Sequence, residues 1–538
     1  PISKGKSSFL VSARQSLLDP NQWAPNRSDI DAQLFFTDIN LKMNWKINET
    51  NTLFVSGYLG QDRSTTVFDT EQQWGNRTFT ARWNRQYGQR LFNHVSLVMS
   101  EFNYEINEPR EAGAFKGRFR VLNYSLKADQ SFYASPKSLF NFGISSTLHR
   151  LKPGERLPFD PDDSSTNPLE LDSEHGLESA LYGSHEWTIN PKLKLLYGVR
   201  ISSLLNIGPA EKQIYAPGEP RTEDAVVGID TISGGKIFDP FLNFEPRISL
   251  NWSWRPTVAL KASYNRTYQY IHLISNTITP NPTDVWKLSD RFIPPTRTDH
   301  FSLGLYQNFK EDEWEGYLEG YFKNVDNAIE YRDGADLLFN PAIETELLQA
   351  TGRAYGLELF AKKNRGKNKG WISYTLSRVE KKIISDFQED LINGGEFFPD
   401  DNDRTHDLSI VYIRQLLPRL GLSTSFNYST GRPITLPVGK YTFEGNPIPH
   451  FAGRNENRIS DYHRLDLSLR WEGRRLKKDG SPRKYSDYWT FTVYNAYGRK
   501  NAFSYFFRAS EDMPGETEIV RYSVFFMPFP SLTYNFKF

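Results

Sequence analysis

The 538 residues predict an all-β fold, a transmembrane antiparallel β-barrel of about 20 strands, on three observations. Apolar and polar residues alternate with period two through most of the chain. Short connections alternate with long ones, which makes one rim trim and the other elaborate. Hydrophobic residues are only 38% of the chain, yet 28 Tyr, 38 Phe and 12 Trp bring the aromatics to 14%, with a mean hydropathy of −0.59. Disordered chains lack such aromatic content, and no run reaches the ~18 consecutive apolar residues of a spanning helix. A barrel wall reconciles these facts, because half of each strand meets lipid and half meets a polar lumen.

Taken in order, the first seven strands are expected at about 6–14, 32–46, 51–61, 76–88, 90–105, 115–129 and 136–150, the tight turn Asn48-Glu49-Thr50 joining the second to the third. The next four are expected at about 178–190, 192–205, 243–254 and 256–269, with turns at Asn190-Pro191 and Arg255-Pro256. Here Ile248, Leu250, Trp252 and Trp254 alternate with Arg247, Ser249, Asn251 and Ser253. Six more follow at about 297–310, 312–327, 353–364, 368–384, 405–416 and 419–430, turning at Lys310-Glu311 and Leu417-Pro418. The last three are expected at about 461–472, 487–508 and 518–538. Leu465, Leu467, Leu469 and Trp471 form one apolar face, and Leu532, Tyr534, Phe536 and Phe538 another.

Long loops fall between the hairpins, at 151–177, 206–242, 270–296, 328–352, 385–404 and 431–460. Strands of about ten residues suit a tilted membrane crossing and exceed the blades of a propeller. Short periplasmic turns and long extracellular loops are the pattern of a bacterial outer-membrane barrel. Trp45, Trp83, Trp187, Trp314, Trp371 and Trp489 lie near strand ends, where interfacial aromatic girdles belong. Both ends of the chain fall on the trim side, so the strand number is even.

Charge and motifs narrow the function. The 65 Lys+Arg against 64 Asp+Glu leave +1, without the basic excess of a nucleic-acid binder. The absence of Cys excludes disulfides, thiolate metal sites and cysteine nucleophiles. There is no H-E-x-x-H, P-loop or G-x-S-x-G element, so neither an enzyme nor a cofactor is expected. Ligand contacts are expected from aromatic and ionisable residues of the outer loops: Tyr215, Tyr270, His272, Trp286, Tyr331, Tyr441 and His450. Asp160, Asp162 and Asp163, and Asp400, Asp401 and Asp403, are weak candidates for a hard cation, since each trio offers only three carboxylates. Asn340-Pro341 predicts a short helix over 340–348 on an outer loop. The basic connection Gly473–Lys484 reads first as a solvated turn, with a periplasmic partner site as the alternative.

Specific segments resemble a known family. They are Pro1-Ile-Ser-Lys-Gly-Lys-Ser-Ser-Phe-Leu-Val-Ser-Ala-Arg14, Gly352-Arg-Ala-Tyr-Gly-Leu-Glu-Leu359 and Gly370-Trp-Ile-Ser-Tyr-Thr-Leu-Ser377. Others are Asp403-Arg-Thr-His-Asp407, Ser429-Thr-Gly-Arg-Pro-Ile-Thr-Leu-Pro437, Tyr462-His-Arg-Leu-Asp-Leu-Ser-Leu469, Tyr494-Asn-Ala-Tyr-Gly-Arg-Lys-Asn501 and Tyr534-Asn-Phe-Lys-Phe538. Together they resemble the barrel of TonB-dependent outer-membrane receptors of the Bacteroidetes type. The resemblance implies a barrel of about 22 strands, of which residues 1–538 supply about 20. The N-terminal plug domain, the TonB-contacting box and the first hairpin are then expected outside this chain. It further implies energised import of a scarce, bulky nutrient: an iron chelate, vitamin, glycan or peptide. The expected partners are outer-membrane lipid and lipopolysaccharide, the TonB complex through the N-terminal region, and a surface lipoprotein. A passive wide channel, or a structural barrel anchoring a surface complex, are the alternatives.

Overall fold

The computed structural model describes residues 5–16, 33–65, 70–109, 114–160, 166–275, 284–443, 446–451, 453–477, 479–502, 504–509, 517–523 and 527–537. Its main sheet has 22 strands, two of which, Leu169–Glu170 and Phe398–Pro399, are two-residue additions. The other 20 build the wall, the number expected from the alternation. The first ten are β1 (Ser7–Gln15), β2 (Gln33–Asn48), β3 (Asn51–Thr65), β4 (Glu71–Tyr87), β5 (Leu91–Glu108), β6 (Phe115–Ser135), β7 (Ser138–Pro158), β8 (Glu174–Asn190), β9 (Leu193–Ile207) and β10 (Ile237–Arg255). Then come β11 (Val258–Gln269), β12 (Thr296–Phe309), β13 (Trp314–Tyr331), β14 (Leu347–Lys363), β15 (Asn368–Ile383), β16 (His406–Leu417), β17 (Leu420–Ser429), β18 (Tyr462–Glu472), β19 (Ser486–Tyr494) and β20 (Phe529–Lys537). Each wall strand pairs antiparallel with its neighbour in sequence, so every connection is a hairpin.

The trim rim is made by local chemistry. Asn48 Oδ1 accepts the Thr50 N–H at 3.0 Å, and Asn190 Oδ1 accepts the Lys192 N–H at 2.9 Å, so each asparagine closes its own turn. At the other rim the strands bend. Register shifts fall at Leu204/Asn206 and Val325/Ala328, the second beside Asn327, whose φ of 55° is left-handed.

The two faces of the wall differ as lipid and lumen do. Leu303, Leu357 and Leu467 point away from the lumen and are 55%, 52% and 36% exposed. So many exposed aliphatic side chains at alternate positions form a continuous band that only hydrocarbon would cover. Ion pairs on the same face bound the band towards the elaborate rim: Arg120–Glu101, Arg266–Asp299 and Arg353–Glu380, each at 2.8 Å. Trp45, Trp83, Trp187, Trp314 and Trp489 bound it towards the trim rim. Trp371 does not join them. It pairs with Lys362 and Val411, one residue out of phase with the outward Ile372 and Leu376, and so faces the lumen. The lumen face is polar, as in Ser263 Oγ to Ser302 Oγ at 2.9 Å and Tyr182 O–H donating to Asp129 at 2.6 Å.

The buried apolar clusters lie at the elaborate rim. Ile274, Val285, Ile293, Ala335, Leu337, Ile343 and Leu347 join the loops after β11 and β13. Tyr104, Ile106, Phe119 and Phe339 join the second of these loops to β5 and β6.

Three expectations change. The helix over 340–348 is a single 3₁₀ turn, Ile343–Thr345. Asn340 Oδ1 accepts the Ala342 N–H at 2.8 Å and closes a local turn ahead of the helix, whose N-cap is Ala342 without a side-chain cap bond, and β14 begins at Leu347 and leaves no room for a second turn. The strand expected over 487–508 leaves the wall at Asn495, where φ is 52° and the side chain binds the Arg499 N–H and carbonyl. Ser504–Ala509 then pairs with Thr517–Tyr522 in a separate hairpin, so β20 begins only at Phe529. Phe538 lies outside the described residues.

Candidate functional site

At the elaborate rim the loops fold over the lumen rather than away from it. The loop between β13 and β14 carries Phe339 across to the opposite wall. There its ring stacks on Phe119 with centroids 5.3 Å apart and meets Phe115 edge-on at 5.7 Å. Gly117 and Gly154 line its seat, where a Cβ would come within 2.7 and 2.9 Å of the Phe339 ring. Glycine is needed on these two strands because the arriving ring occupies the side-chain space.

A second tie joins the loops after β13, β15 and β17. Arg454, 4% exposed, donates to Glu330 at 2.7 Å, to the Tyr331 carbonyl at 3.1 Å and to Asp333 at 2.5 Å. Its guanidinium also lies 4.4 Å from the Tyr331 ring centroid. Asn455 donates to Asp401 at 2.6 Å, and Asp403, wholly buried, accepts the Val379 N–H at 2.6 Å and pairs with Arg458. Gly431, where this loop leaves β17, approaches the Ile459 carbonyl so closely that a Cβ would lie 1.7 Å from its oxygen.

Between these ties lies a cavity of about 260 Å³, lined among others by Glu174, His175, Lys212, Gln213, Lys287 and Glu344. Its charges are paired in a chain. Lys287 Nζ lies 2.5 Å from Glu174 and 3.5 Å from Asp290, and Lys212 Nζ lies 2.6 Å from Asp290. Burial alone would lower the Lys287 pKa, but the two carboxylates overcome it and hold the group well above its ordinary value. Burial alone would likewise raise Asp290, and Lys287 and Lys212 instead hold it below the ordinary carboxylate range. Among the described residues, two buried atoms of the lining have no hydrogen-bond partner, His175 Nδ1 and Gln213 Oε1. A ligand with hydroxyl or amide groups would satisfy both.

The residues singled out in the sequence divide into three groups. Tyr215 donates to Glu344 at 3.2 Å beside the cavity, and burial raises its pKa. His272 is 3% exposed with Nε2 2.8 Å from Ser289 Oγ, and burial pushes its pKa down to about 4. Trp286 packs against Val121, Leu151 and Leu288. Tyr270 is buried, its hydroxyl bonded to Ser202 at 2.7 Å and Asn243 at 2.9 Å, and Tyr331 lies under Arg454. Tyr441 and His450 are exposed on the separate hairpin Pro437–Phe443/Asn446–Phe451.

Asp400 accepts from Lys381 at 2.8 Å, and with Asp401 and Asp403 it is engaged by cationic or amide groups. Asp160 is described, whereas Asp162 and Asp163 lie outside the described residues. Among the described residues no group of three or more acidic or histidine side chains is arranged to hold a metal ion. Glu174, Lys212, Lys287, Asp290, Glu344 and Arg454 were not singled out by the sequence. Their one local signal, Lys287 and Asp290 three residues apart, sits in the mixed run Asp284-Val-Trp-Lys-Leu-Ser-Asp-Arg291 and does not stand out there.

The overall fold recurs in known structures. The copper transporter OprC superposes with a TM-score of 0.62 at 10% identity, over 98% of this chain and 75% of that one. The ferric yersiniabactin uptake receptor FyuA from Yersinia pestis gives 0.62 at 12%, over 100% and 76%. The FrpB iron transporter from Neisseria meningitidis (F3-3 variant) gives 0.62 at 11%, over 99% and 78%. At such identities the likeness concerns the fold alone. No curated protein matches the chain in sequence. The family model described as TonB dependent receptor-like, beta-barrel matches residues 5–497, and with most of the sequence inside that match, the chain belongs to this family.

Proposed function

We propose that this chain is the barrel of a bacterial outer-membrane receptor that imports a scarce, bulky nutrient with energy delivered through TonB. The observation that carries this reading is the inward fold of the outer loops. Phe339 and Arg454 tie three loops and the wall together above the lumen, as an import receptor needs and an open channel does not. The neighbours described as copper and iron transporters make a metal chelate the first ligand class to try. TonB would engage through the plug and box that family members carry ahead of the barrel. Lipopolysaccharide would meet the outward ion pairs at the elaborate rim, and a surface lipoprotein could cover the loops. Exposed Tyr441 and His450 would make first contact, and the cavity beside Lys287 would follow.

The reading is tested by uptake in cells of the native host with and without TonB. Loss of uptake on TonB deletion is expected, whereas unchanged uptake, or a large steady conductance of the native protein in planar bilayers, would favour a passive channel.

A further inference from the structure

The import reading leaves unused a charge asymmetry at the trim rim. Residues 362–369 hold five cations, Lys362, Lys363, Arg365, Lys367 and Lys369, and no acid. Residues 473–485 hold six cations against one acid, Asp479. These are the connections β14/β15 and β18/β19. Arg414 and Arg419 flank the connection between β16 and β17, so the cations follow one arc of adjacent strands.

The register places part of the arc on the lipid side. Lys363 pairs with Trp314, and its Nζ lies 5.3 Å from that ring's centroid. Arg414 pairs with Leu422, which pairs with the outward Leu469. Leu417, at the end of β16, and Leu476, in the β18/β19 connection, are 61% and 55% exposed, and Trp471 in β18 is 61% exposed. Some of the arc is neutralised, Lys363 by Glu313 at 3.2 Å and Arg475 by Glu472 at 3.1 Å. Among the described residues Arg365, Lys367, Arg414, Arg474, Lys477 and Lys484 form no salt bridge, and all six are exposed.

Cations next to an aromatic girdle, with leucines reaching past it, match a membrane surface in both charge and polarity. An acidic protein partner would account for the turn charges but not for Lys363 and Arg414 on the lipid-facing wall. We propose that this arc binds the phosphate headgroups of anionic phospholipids in the leaflet that the trim rim meets. The proposal goes beyond the import reading and needs only that the barrel spans a bilayer, so either can fail alone.

The test compares spin-labelled phosphatidylglycerol with spin-labelled phosphatidylcholine at the boundary of the full-length protein in vesicles. The wild type, the arc variant R365Q/R414Q/R474Q and the control variant R90Q/K137Q/K192Q on the same rim are each first checked by circular dichroism for a folded barrel. Wild type should prefer phosphatidylglycerol about tenfold at low salt, the yield of one or two engaged cations, and less at high salt. The arc variant should lose most of that preference, and the control should stay within about twofold of wild type. No preference in the wild type, an unchanged arc variant, or equal losses in both variants would overturn the proposal. So would binding of polyglutamate through the arc without any lipid preference, which would assign it to an acidic polypeptide.

Discussion

His272 shows how one loop residue ties the mouth of the barrel to pH. Its ring is buried and its pKa is pushed down to about 4, so it is neutral in the folded loop and charges readily only when the loop opens. A base whose folded pKa lies below its unfolded value of 6.5 gives stability that is present above 6.5 and lost as pH falls towards 4. Asp290, whose pKa is depressed, gives stability present above its unfolded 3.8 and lost below it, so the two windows do not overlap. Hydrogen exchange over residues 271–274 and 284–290, corrected for intrinsic rates, should show opening that becomes easier by up to roughly 1.4 kcal/mol per pH unit between 6.5 and 4. His272→Gln should flatten that dependence, and an identical slope in the variant would assign it to another group. Arg454 is a second such residue. Its removal leaves Glu330, 3% exposed, with Lys381 at 3.2 Å as its remaining cation among the described residues. Arg454→Ala should therefore weaken the local loop closure by about 3–5 kcal/mol, read as faster proteolysis within residues 430–461.

Among the elements, the loop between β13 and β14 crosses the lumen to the far wall. Its hold on the far wall is the Phe339 ring among Phe115, Phe119 and Tyr104, with Leu338 packed beside it, and Phe339→Ala should cost about 3–5 kcal/mol of that closure. Loss of exchange protection over 332–346 with unchanged circular dichroism would show release of the loop from an intact wall. Unchanged protection would mean that Ile343 and Leu347, in the neighbouring apolar cluster, hold it without Phe339. None of this was legible in the sequence. Phe339 meets residues more than 180 positions away, Arg454 reaches Glu330 across 124 positions and Tyr215 reaches Glu344 across 129, and no local pattern encodes such pairings. The strands were legible because the period-two pattern is local: a residue's face follows from its neighbours wherever the two faces differ in polarity. Where both faces are mixed the pattern misleads. In Gly370-Trp-Ile-Ser-Tyr-Thr-Leu376 one face carries Trp371, Ser373 and Thr375 and the other Ile372, Tyr374 and Leu376, and a tryptophan near a turn looked like girdle. The second set faces lipid because it pairs with the apolar outward rows of β14 and β16, which fixes the phase.

For the whole molecule, the distribution of apolar side chains is the reverse of a soluble protein's. Among the described residues the buried apolar clusters are small and lie at the elaborate rim, while a continuous apolar surface faces outward. Stability of the wall therefore rests on hydrogen-bonded strand pairing and on lipid covering the outer row, with little apolar packing inside. This makes adjacent residues of one strand respond in opposite ways to the same substitution. Leu467 lies in the outward band, and Leu467→Arg should cost about 2–4 kcal/mol near the bilayer midplane. Ser468, one residue on, faces the lumen and bonds Thr492 at 3.0 Å, so Ser468→Arg loses a single hydrogen bond, about 1 kcal/mol. Urea unfolding of each variant from vesicles measures both. Equal costs would mean that lipid does not distinguish the faces of β18, and a reversed order would put its arginine-bearing row, Arg464 and Arg470, in hydrocarbon. Trp471→Arg, two outward positions nearer the trim rim, should cost less than Leu467→Arg, because an arginine there can reach the headgroups.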